Sequence, residues 1–283
     1  MMRVGLALAA LGMTGSALAQ ERPPAGSPPV IPIAASKIIL VGDSTTAVVG
    51  GWGPSFCAYN VTSFAACINL ARGGRSSGSY LWEGSWNLVQ GEMRTPGYRN
   101  IWVLIQFGHN DQPGKPGRST DLAKDFPANL ERYVRDVRAA GAKPVLVTPL
   151  TRRMFKGAAL DNDLEPWAAS IRTVARRLNV PLADLNAVSV KAVNEMGEAA
   201  AERFAPLAKD AAPFTSGGPQ ATEVDDRPGG SVRLSFDRTH LGLLGANYFA
   251  DMMARELAVA VPEMRPLLLS LQQRPDVTNH IRQ

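Results

Sequence analysis

The chain has 283 residues, 45% hydrophobic and 19% charged, and a formal charge of +5 from 30 Lys and Arg against 25 Asp and Glu. That balance excludes a disordered or fibrous protein and leaves ample apolar material for one sizeable core. The mild positive charge is scattered, with no zinc-finger spacing and no basic-aromatic stretch, so nucleic acid is not an expected partner.

Arg3 precedes the apolar run 4–11, and Ala17, Leu18 and Ala19 form a small-residue cleavage site before Gln20, so residues 1–19 read as an export signal. A spanning helix needs about 20 apolar residues, and this run is shorter and broken by Gly12, Thr14, Gly15 and Ser16. The mature chain is therefore expected in the periplasm or outside the cell, with no membrane association. Residues 20–36 are rich in Pro and small residues and read as an extended linker. The folded domain is expected over 37–262, with 263–283 as a C-terminal tail.

Within that domain, apolar runs at 38–41, 66–70, 102–107, 145–148 and 180–183 read as strands. An oxidising compartment favours pairing Cys57 with Cys67 across the intervening AYNVTSFAA. The segment 126–140 reads as a helix, with Asp125 as cap, Pro127 in the first turn, Leu130, Tyr133, Val134 and Val137 on one face, and Gly141 as the stop. Trp167, Ile171, Val174, Ala175 and Leu178 make a second helical face, and 247–260 a third. Strands alternating with helices predict an α/β fold, a parallel sheet covered on both faces. In such sheets ligands bind beyond the carboxyl ends of the strands.

Ser44, in GDSTTA directly after the first strand, stands at that edge. Taken alone, it is as well read as a helix cap as a nucleophile. A nucleophilic serine needs a base, and the chain has three histidines. His280 lies in a polar tail. His109 sits in FGHND, and His240 follows Asp237 by three residues in LSFDRTHLG, close enough for the carboxylate to orient the imidazole. The stretch 204–233, rich in Pro and Gly, reads as a long loop delivering that pair. Acyl transfer also needs donors aimed at a developing oxyanion. Gly73 and Gly74 end the second strand segment and Asn110 follows the third, so backbone N–H groups and a side-chain amide are available there.

Four blocks, GDS, GGRS, GHND and DRTH, occur in the order found in the SGNH, or GDSL-like, hydrolases, which the chain resembles from about Lys37 to Ala260. GDSTTA, GWG, ARGGRSS, FGHND and THL are most similar to the rhamnogalacturonan acetylesterase group. The resemblance implies a flavodoxin-like, three-layer α/β/α fold with a central parallel sheet of about five strands. It implies Ser44 as nucleophile, His240 as base and Asp237 as the orienting acid, with an oxyanion hole from the N–H groups of Ser44 and Gly74 and the amide of Asn110. It also implies hydrolysis of acetyl esters on a pectic polysaccharide.

Trp52, Arg75 and His109 are the candidate substrate contacts. Trp82 is a further aromatic, and Arg72, Arg152, Arg153 and Lys156 are further cations able to pair with uronate carboxylates, solvation being the alternative for each. No phosphate loop, dinucleotide fingerprint or zinc-ligand spacing is present, so no cofactor or metal is expected. Lipase-like, thioesterase and xylan-deacetylating activities, an acetyltransferase, and a non-catalytic sugar-binding module are the other readings.

Overall fold

The computed structural model describes residues 35–212, 214–215, 220–221 and 231–269. The export signal, nearly all of the linker, His280 and the end of the tail lie outside the described residues. In chain order the elements are β1 (Ser36–Gly42), α1 (Gly53–Ser55) running into a π-helical turn (Phe56–Asn60), β2 (Ala65–Asn69), α2 (Ser79–Trp82), α3 (Ser85–Met93) and β3 (Asn100–Gln106). They continue with α4 (Asp125–Ala139), β4 (Lys143–Val147), the hairpin β5 (Phe155–Lys156) and β6 (Ala159–Leu160), α5 (Glu165–Leu178), β7 (Leu182–Ala183) and α6 (Leu185–Glu202). A small sheet of β8 (Phe214–Thr215), β9 (Gln220–Ala221) and β10 (Ser231–Leu234) precedes α7 (Leu243–Ala260) and a 3-10 turn (Pro262–Leu267).

The central sheet has five parallel strands in the order β2-β1-β3-β4-β7, as expected. Leu40 of β1 lies opposite Asn69 on one side and Leu104 on the other. The strand order reverses between β1 and β3, so a crevice opens at their carboxyl ends, next to Ser44.

The strands read as continuous apolar runs because both faces are covered. Ile38, Leu40, Trp102, Leu104, Val145 and Val147 enter one core, with Val193 of α6 and Phe249, Met253 and Leu257 of α7. Their neighbours Ile39, Val41, Val103, Ile105 and Leu146 enter the other, with Val89 of α3, Leu130 and Val134 of α4 and Ile171 of α5. The period-two alternation of a strand thus feeds two layers, and each such side chain contributes about 1.5–3 kcal/mol on burial.

Helix α4 corrects one detail. Asp125 does not cap it: no side chain caps α4, and Asp121 closes the turn before it, its Oδ1 accepting from the N–H groups of Ala123 and Lys124, both at 2.8 Å. Asp125 turns back and accepts from the Asp121 N–H at 3.2 Å. Gly141 ends the helix with φ +73°, letting its N–H and that of Ala142 return to the carbonyls of Arg138 and Val137 at 3.0 and 3.1 Å. Helix α6 is not legible in the sequence: its buried row, Leu185, Ser189 and Val193, includes a polar residue, and Gly197 breaks the helical backbone at φ 78°.

Cys57 in the π-helical turn and Cys67 in β2 form a disulfide, Cα atoms 5.3 Å apart. The bridge closes a short loop, ten residues in separation. Replacing both cysteines with alanine should lower unfolding free energy by roughly 2–3 kcal/mol through the freed entropy of the unfolded chain. Urea unfolding without reductant measures it, and the variant should retain native circular dichroism.

Candidate active site

Residues 43–47 form a turn: the N–H groups of Thr46 and Ala47 donate to the Asp43 carbonyl at 3.1 and 3.0 Å. Helix α1 begins only at Gly53 with Trp52 as its cap residue, so Ser44 caps no helix. The turn rests on a buried polar chain. Asp43 Oδ1 accepts from the Thr45 N–H at 2.9 Å and the Thr45 hydroxyl at 2.8 Å. Gln106, at the end of β3, donates from Nε2 to the same hydroxyl at 2.7 Å and accepts from the Trp52 indole at 2.9 Å.

The other half of the site comes from 196 residues further along the chain. His240 Nε2 lies 2.8 Å from Ser44 Oγ, and His240 Nδ1 lies 3.1 Å from Asp237 Oδ2. The second oxygen of Asp237 accepts from the N–H groups of Thr239 and His240 at 2.7 and 2.6 Å. Burial opposes the Asp237 charge, but the bond and attraction of His240, with those two N–H bonds, outweigh it and hold the carboxyl below its ordinary value. Gly50 makes the docking possible. Its φ is +82°, a Cβ there would stand 3.1 Å from His240 Cβ, and its carbonyl accepts from the Leu241 N–H at 2.8 Å.

The three proposed oxyanion donors come from neighbouring loops. A Cβ on Gly73 would sit 3.7 Å from Ser44 Cβ, so the glycine pair after β2 lies against the serine. Gly74 adopts φ +72°, a conformation a side chain would strain. Asn110 Nδ2 donates one hydrogen to the Arg75 carbonyl at 3.1 Å, and Lys115 Nζ donates to Asn110 Oδ1 at 3.3 Å, which fixes which end of the amide is the donor. Among the described residues the N–H groups of Ser44 and Gly74 have no acceptor. A hydroxyl bonded to an imidazole, an imidazole bonded to a carboxylate, and unused donors beside them are the requirements of nucleophilic acyl transfer.

Residues 40–241 match the GDSL-like Lipase/Acylhydrolase family. The chain belongs to the GDSL-like lipase/acylhydrolase family. By that membership it is a carboxylic ester hydrolase of the SGNH type. It is 32% identical over 171 residues to YesY of Bacillus subtilis, named a probable rhamnogalacturonan acetylesterase; the match covers 58% of this chain and 76% of YesY. It is also 32% identical over 157 residues to the rhamnogalacturonan acetylesterase RhgT of Bacillus subtilis, covering 53% of this chain and 64% of RhgT. Two solved structures share the fold. Protein YXIM of Bacillus subtilis aligns with a TM-score of 0.60 at 22% identity, over 81% of this chain and 57% of its own. A catalytic mutant of the acetylxylan esterase Axe2 from Geobacillus stearothermophilus aligns with a TM-score of 0.51 at 16% identity, over 80% and 96%.

The candidate substrate contacts of this acylhydrolase are corrected by burial. Trp52 is fully buried in the core and holds Gln106, so it offers no face to a sugar. Arg75 is buried, its Nε donating to Glu83 Oε2 at 2.7 Å and its Nη1 to the Gly73 carbonyl at 3.0 Å; it braces the glycine loop. His109 is buried beneath the turn, its Nδ1 3.4 Å from Asp43 Oδ2. Burial, more than Asp43 can offset, pushes His109 below the ordinary histidine value, so it stays neutral at pH 7. Arg152 is also buried and pairs with Asp163, whereas Lys156 is exposed beside Asp161. Trp82, 66% exposed with its ring against Gly78, is the tryptophan that presents a face to solvent. Among the described residues no group of three or more His, Cys, Asp or Glu is placed to hold a metal ion.

The last residue of GHND, Asp111, has a role the sequence did not reveal. It is fully buried and accepts from the Ser77 hydroxyl at 2.6 Å, the Ser77 N–H at 3.0 Å and the Thr120 hydroxyl at 2.9 Å, tying together the loops after β2 and β3. Burial, against those bonds, pushes its carboxyl from 3.8 up to about 7. A raised acid stabilises the fold fully below its unfolded value and loses that contribution as pH climbs to its folded value. Wild type should therefore lose stability relative to Asp111→Asn as pH rises from about 4 to about 7. Urea midpoints of both proteins across that range measure it; a constant gap would mean that Asp111 titrates normally.

Proposed function

We propose that this acylhydrolase is an exported serine acetylesterase that removes acetyl groups from a pectic polysaccharide, rhamnogalacturonan by first choice, through an acyl-enzyme. The observation that carries the chemistry is the continuous link from Ser44 Oγ to His240 Nε2 at 2.8 Å and from His240 Nδ1 to Asp237 Oδ2 at 3.1 Å.

In this reading His240 Nε2 takes the hydroxyl proton as Ser44 Oγ attacks the ester carbonyl, and the new imidazolium is held by the ionised Asp237. Charge collects on the former carbonyl oxygen, where the N–H groups of Ser44 and Gly74 and the second N–H of Asn110 are available to it. Collapse of the intermediate breaks the bond to the sugar oxygen, which receives the proton from His240. Water, deprotonated by the same imidazole, then attacks the acetyl-serine and releases acetate. Activity falls on the acid side as His240 becomes protonated.

The pectic substrate is supported by likeness to YesY and RhgT, both named rhamnogalacturonan acetylesterases. Export is supported by the signal-like residues 1–19; the protein recovered outside the cytoplasm should have the mass of a chain beginning at Gln20. Ser44→Ala should abolish turnover without unfolding the protein. Asn110→Ala should lower kcat by ~10² to 10³ with KM little changed, because its second N–H meets charge found only in the transition state. Acetate release from acetylated rhamnogalacturonan should exceed that from acetylated xylan, and an aryl acetate should be cleaved faster than an aryl octanoate. Faster xylan deacetylation, or octanoate as the better ester, would remove the pectic assignment while leaving the serine chemistry in place.

A further inference from the structure

We infer that Arg153 is a positioning residue for the reaction proposed above: it holds the turn that carries Asp237 and His240 in register with Ser44. The inference rests on that reading of the site.

Arg153 lies beyond the carboxyl end of β4 and is 0% exposed, yet the bonds of its guanidinium run to no carboxylate among the described residues. Its Nη2 donates to the carbonyls of Asp237 at 2.9 Å and His240 at 2.6 Å, and its Nη1 to the carbonyl of Thr239 at 3.5 Å. Its own backbone N–H donates to the carbonyl of Arg238 at 2.8 Å. Each carbonyl of the four consecutive residues Asp237, Arg238, Thr239 and His240 is therefore directed at this one residue. The complementary N–H groups of Thr239 and His240 go to Asp237 Oδ1, so the polar groups of the turn are satisfied by one cation inside and one carboxylate outside.

Regular secondary structure does not hold this turn, since β10 ends at Leu234 and α7 begins at Leu243. Three carbonyl dipoles converging on one guanidinium also repel one another, and a buried positive charge offsets that repulsion. Burial lowers the Arg153 guanidinium to about 10, against the attraction of Asp237, so it remains a cation at neutral pH. Arginine suits the task because donors on two nitrogens of a rigid plane serve three acceptors together, whereas an ammonium concentrates its donors at one point. On its other side the turn is tied to α6 through Arg238, whose Nη2 donates to Glu198 Oε1 at 2.8 Å and also bonds Glu202. Arg238 anchors the turn from outside and Arg153 from beneath; of the two, it is Arg153 whose guanidinium reaches the carbonyls of Asp237 and His240.

Placement is what such a clamp supplies, because a shift of about 1 Å between reacting groups costs on the order of 10²-fold in rate. The test compares Arg153→Met and Arg153→Lys with wild type on an aryl acetate, alongside Ser44→Ala and His240→Ala. Arg153→Met should lower kcat by about 10²-fold with KM within about twofold. Arg153→Lys, which keeps the charge but not the fork, should fall between the two. The low-field NMR resonance of the His240 Nδ1 proton shared with Asp237 should broaden or shift in Arg153→Met, a signature that a general loss of stability would not produce in a protein still folded by circular dichroism. If Arg153→Met fails to fold, reduced kcat at unchanged KM in a folded Arg153→Lys supports the clamp on its own. Wild-type kcat in either folded variant, a loss confined to KM, or failure of both variants to fold would overturn it. Activity retained by Ser44→Ala or His240→Ala would instead remove the underlying reading of the site, and the clamp with it; inactive Ser44→Ala and His240→Ala beside a fully active Arg153→Met would remove the clamp alone.

Discussion

The buried carboxylate of Asp43 is the constraint from which the rest of the site follows. A charge withdrawn from water is tolerated only where polar groups replace its hydration, and here Thr45 supplies two donors while His109 lies against the other oxygen. Thr45 is held in turn by Gln106, and Gln106 by Trp52, so the turn after β1, the end of β3 and the core beneath α7 are joined through one chain of hydrogen bonds. Ser44 sits within that turn. Its position is set by a network that it does not itself belong to.

The partner half of the site arrives from the far end of the chain. Closing a long loop costs an entropy that grows only with the logarithm of its length, so a separation of 196 residues between Ser44 and His240 is no obstacle provided that the arriving segment docks firmly. Docking comes from short-range contacts: the Leu241 N–H on the Gly50 carbonyl, the His240 ring against the bare Cα of Gly50, and the Arg153 side chain beneath the turn.

The cations near the site mostly face inward. Arg75 braces the glycine loop through Glu83, Arg152 pairs with Asp163, and Arg153 takes up carbonyls. A buried cation left without partners would cost several kcal/mol, so each of these side chains is already committed to the scaffold. Lys115 and Arg118, on the loop after β3, touch Asn110 Oδ1 and the Gly74 carbonyl and so bring positive charge next to the proposed oxyanion donors.

The sequence alone determined the features that many residues report together. Buried strands appear as apolar runs at 38–41 and 102–107 because both faces of the sheet are covered, and helices α4, α5 and α7 appear through their apolar stripes. The GDS, GGRS and GHND blocks, after β1, β2 and β3, and the DRTH block, in the turn before α7, were legible because the chemistry demands those residue types there, and the structure brings Ser44, Asp237 and His240 into contact. Tertiary structure decided what depends on one side chain meeting another: that Trp52 is core and Trp82 exposed, that Asp111 ties Ser77 to Thr120, and that Arg153 grips a turn and not a ligand. Periodicity averages over a face and so reports burial, but the partner of a single polar group is chosen by the crossovers that bring distant loops to one edge of the sheet. Arg153 and its carbonyls lie 84 to 87 residues apart, and no local pattern in the chain records that meeting.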